Sequence, residues 1–193
     1  MLSEMAVATV TKLSLSQNKY KAEKCNQKMP IQLVMAISEN GVIGIDGKLP
    51  WHIPFDLKWF KMNTYNGAVI MCRKTWDSLP PKKLPGRLMI VLSRSTLPSE
   101  DCICCQSWSD ALAIAQNFAQ NVYIIGGSEI YNQALLLKLV DTLIITRVHQ
   151  VITANNLTYA ILPLHKTKKW QSNLFKHKKT SFHFELYTVN TFK

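Results

Sequence analysis

The sequence predicts a single α/β domain: a mixed, mainly parallel sheet flanked by helices, with an antiparallel C-terminal edge. Three observations carry this. Short apolar runs alternate with amphipathic segments of helical period. The last apolar stretch follows another strand-like one with no clear helix between, so it turns back antiparallel. And 193 residues at 47% hydrophobic content suit one domain with a sizeable core.

The elements follow in order. Ile31 to Ile37 is an apolar run that reads as a buried strand, with Gln32–Ile37 as its body. A glycine-studded loop comes next, within Asn40 to Asp56, NGVIGIDGKLPWHIPFD. Pro54 suits a first helical position, because its missing N–H costs nothing there and its φ is already helical. The helix Pro54–Asn63 then places Asp56 near the positive end of the dipole, on one face with Leu57 and Phe60. A carboxylate there either closes a pocket with its apolar neighbours or merely satisfies first-turn amides. Strands Ala68–Cys72, Met89–Ser93, Ile103–Cys105 and Val122–Ile125 alternate with helices Arg73–Ser78, Ser107–Phe118 and Ser128–Leu137. Thr142–Val148 and Phe182–Asn190 complete the sheet. In such sheets ligands bind beyond the carboxyl ends of the strands.

Composition narrows the function. No apolar run approaches ~18 residues, so no membrane span is expected. Residues 1–29 hold no compact apolar core after a basic end and no arginine. Neither a secretory signal nor an organelle-targeting segment is favoured, and a disordered extension before a domain beginning near Met29 is expected. Five cysteines without metal spacing read as reduced thiols of a cytoplasmic protein, with no metal site. The net charge of +11 invites nucleic acid. No binding motif accompanies the clusters His165 to Lys169 and Lys176 to Lys179, so a solvated basic edge is expected, on a monomer.

Three motifs fall at strand ends. Met71-Cys72-Arg73-Lys74-Thr75-Trp76 runs from strand to helix start, where amides and two cations suit phosphates, although an RK pair is also a common surface feature. Leu92-Ser93-Arg94-Ser95 adds hydroxyls and a guanidinium, whose planar fork suits a phosphate monoester. Ile124-Ile125-Gly126-Gly127-Ser128-Glu129-Ile130-Tyr131 lets the backbone approach a ligand, or simply turns.

Together, VMAISENGVIGIDGKLPW, DLKWFKMNT, VIMCRKTWDSLP, LPGRLMIVLSR, YIIGGSEIYNQAL and LIITRVH occur in the order found in dihydrofolate reductase. The chain resembles that family from Pro30 to the C-terminus, densely to Val148 and more thinly beyond. The resemblance implies NADPH-dependent reduction of 7,8-dihydrofolate. It implies Asp56 as the pocket's acid, Thr146 as its hydrogen-bond partner, Trp51 as the holder of an adjacent water and Leu49 as a closing loop residue. Val34, Met35, Leu57, Phe60, Leu79 and Leu84 would form apolar walls, and Arg87 would clamp the substrate's glutamate carboxylate. Ala36, Ile43, Gly44, Gly47 and Lys48 would line the nicotinamide side. Lys74 and Thr75 would meet the pyrophosphate, and Arg73, Ser93 and Arg94, beside Leu92, the 2′-phosphate. Ile125, Gly126, Gly127, Ser128, Glu129, Ile130 and Tyr131 would complete the cofactor site, with a cis Gly126-Gly127 peptide. The flavin-pathway pyrimidine reductases share the fold, but LPW and Asp56 favour the first family.

The chain departs from the family pattern at three places. Cys72 replaces a glycine, which is expected to crowd the pyrophosphate. Ser128 replaces a third glycine. Leu157-Thr158-Tyr159 lacks a preceding acid that helps tether the closing loop in the family.

Overall fold

The computed structural model describes residues 29–80, 84–95, 99–163 and 166–189. The expected extension, save Met29, lies outside the described residues. So does Asn190, the expected end of the last strand.

Strand β1 (Ile31–Ser38) lies mid-sheet, parallel to β6 (Val122–Gly126) on one side and to β7 (Thr142–Val148) on the other. Paired on both edges and buried, it needs an almost wholly apolar sequence. Beyond β6 come β3 (Ala68–Cys72), β4 (Leu88–Leu92) and β5 (Ile103–Cys105), all parallel. Beyond β7 comes β11 (Thr180–Val189), antiparallel. The outer edge of this ten-residue strand takes two short antiparallel partners, β9 (Lys166–Gln171) and β10 (Phe175–His177). The sheet is therefore mixed and mainly parallel, with an antiparallel C-terminal edge. β2 (Val42–Ile45) and β8 (Leu157–Tyr159) form a separate two-stranded sheet.

Among the described residues four helices connect these strands: α1 (Pro54–Thr64), α2 (Arg73–Ser78), α3 (Trp108–Phe118) and α4 (Ser128–Leu136). α3 begins one residue later than the sequence suggests, because Ser107 is its cap and accepts from the Asp110 N–H at 3.1 Å. No described helix is long and apolar enough to cross a membrane.

Alternation along β1 divides the core. Leu33, Met35 and Ile37 pack with Ile124, Ile130 and Ile145. Val34 packs with Trp76, Leu84 and Ile144. A third cluster, Trp51, Ile53, Val148, Phe182 and Phe184, seals the loop after β2 against the antiparallel edge.

Candidate active site

Asp56 sits in the first turn of α1, after Pro54, and is buried. It does not cap its own helix. Its Oδ1 accepts a 2.6 Å hydrogen bond from Thr146 Oγ1 on β7. Burial raises its pKa, and the Thr146 bond partly opposes this. No cation among the described residues offsets the burial. Trp51, three residues before α1, is buried with an Nε1–H that has no protein partner, and Trp59 Nε1–H is in the same condition. A buried donor of this kind suits a bridging water.

The register places Ala36 opposite Thr146, and Thr146 opposite Phe184. Ala36 packs against the Trp51 cluster. Val34 faces Leu84, with Phe60 and Leu79 against the same cluster. Met35 is a correction to the expected wall: one residue on from Val34, its side chain points into the opposite core. Leu57 on α1 and Leu49 on the loop are 48% and 49% exposed, two large apolar side chains left uncovered. Arg87 is held at three nitrogens: Nη1 donates to Thr64 Oγ1 at 3.0 Å, Nε to Leu84 O and Nη2 to Pro85 O. Its guanidinium also lies over the Phe60 ring at 5.8 Å. Thr64, which orients Arg87, was missed in the sequence because nothing local links positions 23 apart.

The phosphate-type residues leave adjacent strand ends. Cys72 pairs with Leu92 across β3 and β4, so Arg73 and Ser93 emerge side by side. Arg73 Nε donates to both Asp77 oxygens at 2.9 Å. Lys74 and Arg94 are exposed, and Thr75 is half-buried. The Gly126-Gly127 peptide is cis. A Cβ added to Gly126 would lie 3.2 Å from Thr75 Oγ1, so the glycine leaves just enough room for the backbone. α4 begins at Ser128 with Gly127 before it and no side-chain cap, and Glu129 lies exposed in its first turn. Such a helix start presents free amides to an anion. Ile125 packs at the edge of the Val34 cluster. The side chains of Ile130 and Tyr131 turn inward, and Tyr131 OH donates to Val34 O at 2.7 Å.

The loop between β1 and α1 is more ordered than its glycines suggest. Ile43 packs on the core, and a Cβ on Gly44 would meet Lys48 O at 3.3 Å. Asp46 and Gly47 both have positive φ, and Ile45 and Lys48 exchange backbone bonds of 2.8 and 2.9 Å. This is a two-residue hairpin turn, which an Asp-Gly pair signals. The turn is clasped from the residue just before β8: Asn156 Nδ2 donates to Asp46 Oδ1 at 2.8 Å, and the Asp46 N–H to Asn156 O at 3.3 Å. The position before Thr158 carries no acid, yet the loop is tied to this segment by a ladder and an amide.

The family model described as dihydrofolate reductase matches residues 30–191. A dihydrofolate reductase of Buchnera aphidicola from Acyrthosiphon pisum is 40% identical over 152 residues, covering 79% of this chain and 90% of its own. Another, from the Baizongia pistaciae subspecies, is 36% identical over 159 residues, covering 81% and 93%. The Haemophilus influenzae dihydrofolate reductase is 42% identical over 110 residues, covering 55% and 66%.

Proposed function

This chain belongs to the dihydrofolate reductase family and is an oxidoreductase; we propose that it reduces 7,8-dihydrofolate to 5,6,7,8-tetrahydrofolate with NADPH. The observation that carries the mechanism is Asp56, a buried carboxylate bonded to Thr146 and balanced by no described cation. A carboxylate so placed favours a cationic or N–H-rich ring system, and we assign it the pterin amino group and ring N–H.

The net reaction adds a hydride and a proton across one C=N bond, with NADPH supplying the hydride when bound. Asp56 favours protonation of the pterin N5, through water held by the Trp51 Nε1–H. Leu49 and Leu57 exclude solvent once the loop covers the substrate, which strengthens every electrostatic contact inside. Arg87, preset by Thr64, receives the substrate's glutamate carboxylate.

The chain's residues fit the cofactor. The uncapped start of α4 and the close-packed Gly126-Gly127 backbone suit a pyrophosphate. Arg73, Ser93 and Arg94 at neighbouring strand ends suit a 2′-phosphate, which selects NADPH over NADH. We place the enzyme in the cytoplasm, where its free thiols remain reduced, and read it as a monomer with a solvated basic edge.

Loss of the NADPH absorbance band on adding dihydrofolate tests cofactor, substrate and turnover together. No dihydrofolate-dependent oxidation would remove the assignment.

A further inference from the structure

Strands β3 and β6 run in register as far as Ile70 opposite Ile124, then slip, so that Met71 faces Gly126. The ladder thus stops where the chain enters the Gly126-Gly127 peptide. The next amide, the Gly127 N–H, donates to Cys72 Sγ at 3.2 Å. The same sulfur lies 3.4 Å from Thr75 Oγ1. A Cβ on Gly127 would sit 3.5 Å from both atoms. Sulfur, hydroxyl and glycine pair therefore form one close-packed cluster at the ends of β3 and β6.

We infer that Cys72 is a positioning residue for the cofactor crevice: its thiol ties the start of α2 to Gly127 and orients the Thr75 hydroxyl. The inference rests on reading that crevice as the NADPH site. A thiol has one proton and lone pairs to spare. While accepting from Gly127, Cys72 donates its own proton to Thr75 Oγ1. The single proton of Thr75 is then left for an acceptor outside the cluster, such as a phosphate oxygen. A glycine at position 72 supplies neither contact, leaving a half-buried N–H without its acceptor. The side chain points at Gly127, so the cysteine builds the cradle in place of the glycine that the family resemblance implies at this position.

Cys72→Ala, Cys72→Gly and Cys72→Ser test this by two measurements. The first is the Gly127 amide resonance and its hydrogen exchange in ¹⁵N-labelled, cofactor-free protein. The second is NADPH affinity by fluorescence titration, with the KM for dihydrofolate measured alongside. With Ala or Gly, the Gly127 amide is expected to shift and exchange faster, and NADPH to bind about three- to tenfold more weakly, the scale of one net hydrogen bond. The KM for dihydrofolate should stay unchanged. Ser, which keeps donor and acceptor, should hold NADPH affinity within about threefold of the parent. Equal or tighter NADPH binding by Cys72→Ala and Cys72→Gly would overturn the inference and show that the side chain only crowds the site. An unmoved Gly127 amide in Cys72→Ala would overturn it too. Failure of the parent chain to bind NADPH sinks the cofactor reading itself, and the Gly127 amide then still decides whether the thiol makes this tie.

Discussion

Thr146 Oγ1 donates to Asp56 Oδ1 across 2.6 Å, joining the first turn of α1 to the middle of β7 over 90 positions of sequence. The pocket's carboxylate is thereby fixed by two elements at once. The hydroxyl opposes the rise in pKa that burial imposes on it.

The first prediction concerns the charge. Asp56→Asn keeps the shape and removes the acid–base function, so turnover at neutral pH should fall by ~10²–10⁴-fold. Activity should recover in part at lower pH, where substrate arrives already protonated. The folded-state pKa lies above the unfolded one, so ionised Asp56 costs the apo protein stability as pH rises. The apo variant should therefore melt higher than the parent at pH 7, with the gain vanishing in acid. Unchanged turnover across the pH range would remove Asp56 from the mechanism.

The hydroxyl partner carries the second. Thr146→Val removes the contact that lowers the Asp56 pKa and leaves burial unopposed. The limb of the pH–rate profile governed by Asp56 should move to higher pH. A profile that coincides with the parent's would separate that limb from Asp56.

Cofactor choice gives a third. Charged hydrogen bonds contribute roughly 1.5–3 kcal/mol each, so NADPH should be preferred to NADH by at least about tenfold. Arg94→Ala should shrink that preference and leave the KM for dihydrofolate nearly unchanged. Equal use of both cofactors by the parent would contradict the 2′-phosphate assignment.

A fourth addresses the loop. Asn156 has φ +56°, so Asn156→Gly removes the amide without straining the backbone. Losing its bond to Asp46 should speed amide exchange in residues 43–48 by about two- to tenfold, the scale of one net hydrogen bond. Unaltered exchange would show that backbone bonds hold the turn without the Asn156 amide.

The fifth concerns acid stability. Burial of Glu185 acts to raise its pKa. The Lys168 and His183 hydrogen bonds and the Arg147 charge overcome this and hold it at about 2. Because the folded value lies below the ordinary 4.5, this stabilisation is complete above about pH 4.5 and is lost as pH falls toward about 2. Glu185→Gln should cost about 1–3 kcal/mol at neutral pH and flatten the fall of Tm with acid over that window. A parallel Tm–pH curve would place the acid sensitivity elsewhere.

Local rules carried much of this molecule. The apolar run Ile31 to Ile37, Pro54 ahead of a helix and glycines after an apolar run each act within a few residues. Those segments appear as β1, α1 and the β6–α4 junction. The Asp46-Gly47 pair is a local turn signal as well, within a stretch that reads from sequence only as a glycine-studded loop. Strands β9 and β10 were not legible. Lysine-rich and largely exposed, they are held by the free outer edge of β11 rather than by a buried face of their own.

By itself the sequence determined the sheet class, the order of its main elements and the residue types gathered at the strand ends. Only the tertiary structure decided which atoms meet. It turned Met35 away from the wall that Val34 lines, set Thr64 against Arg87, and brought Cys72 to the Gly127 amide across 55 positions. Periodicity and turn chemistry are encoded in neighbouring residues. A contact between distant residues depends on strand register and packing, which only the assembled chain fixes.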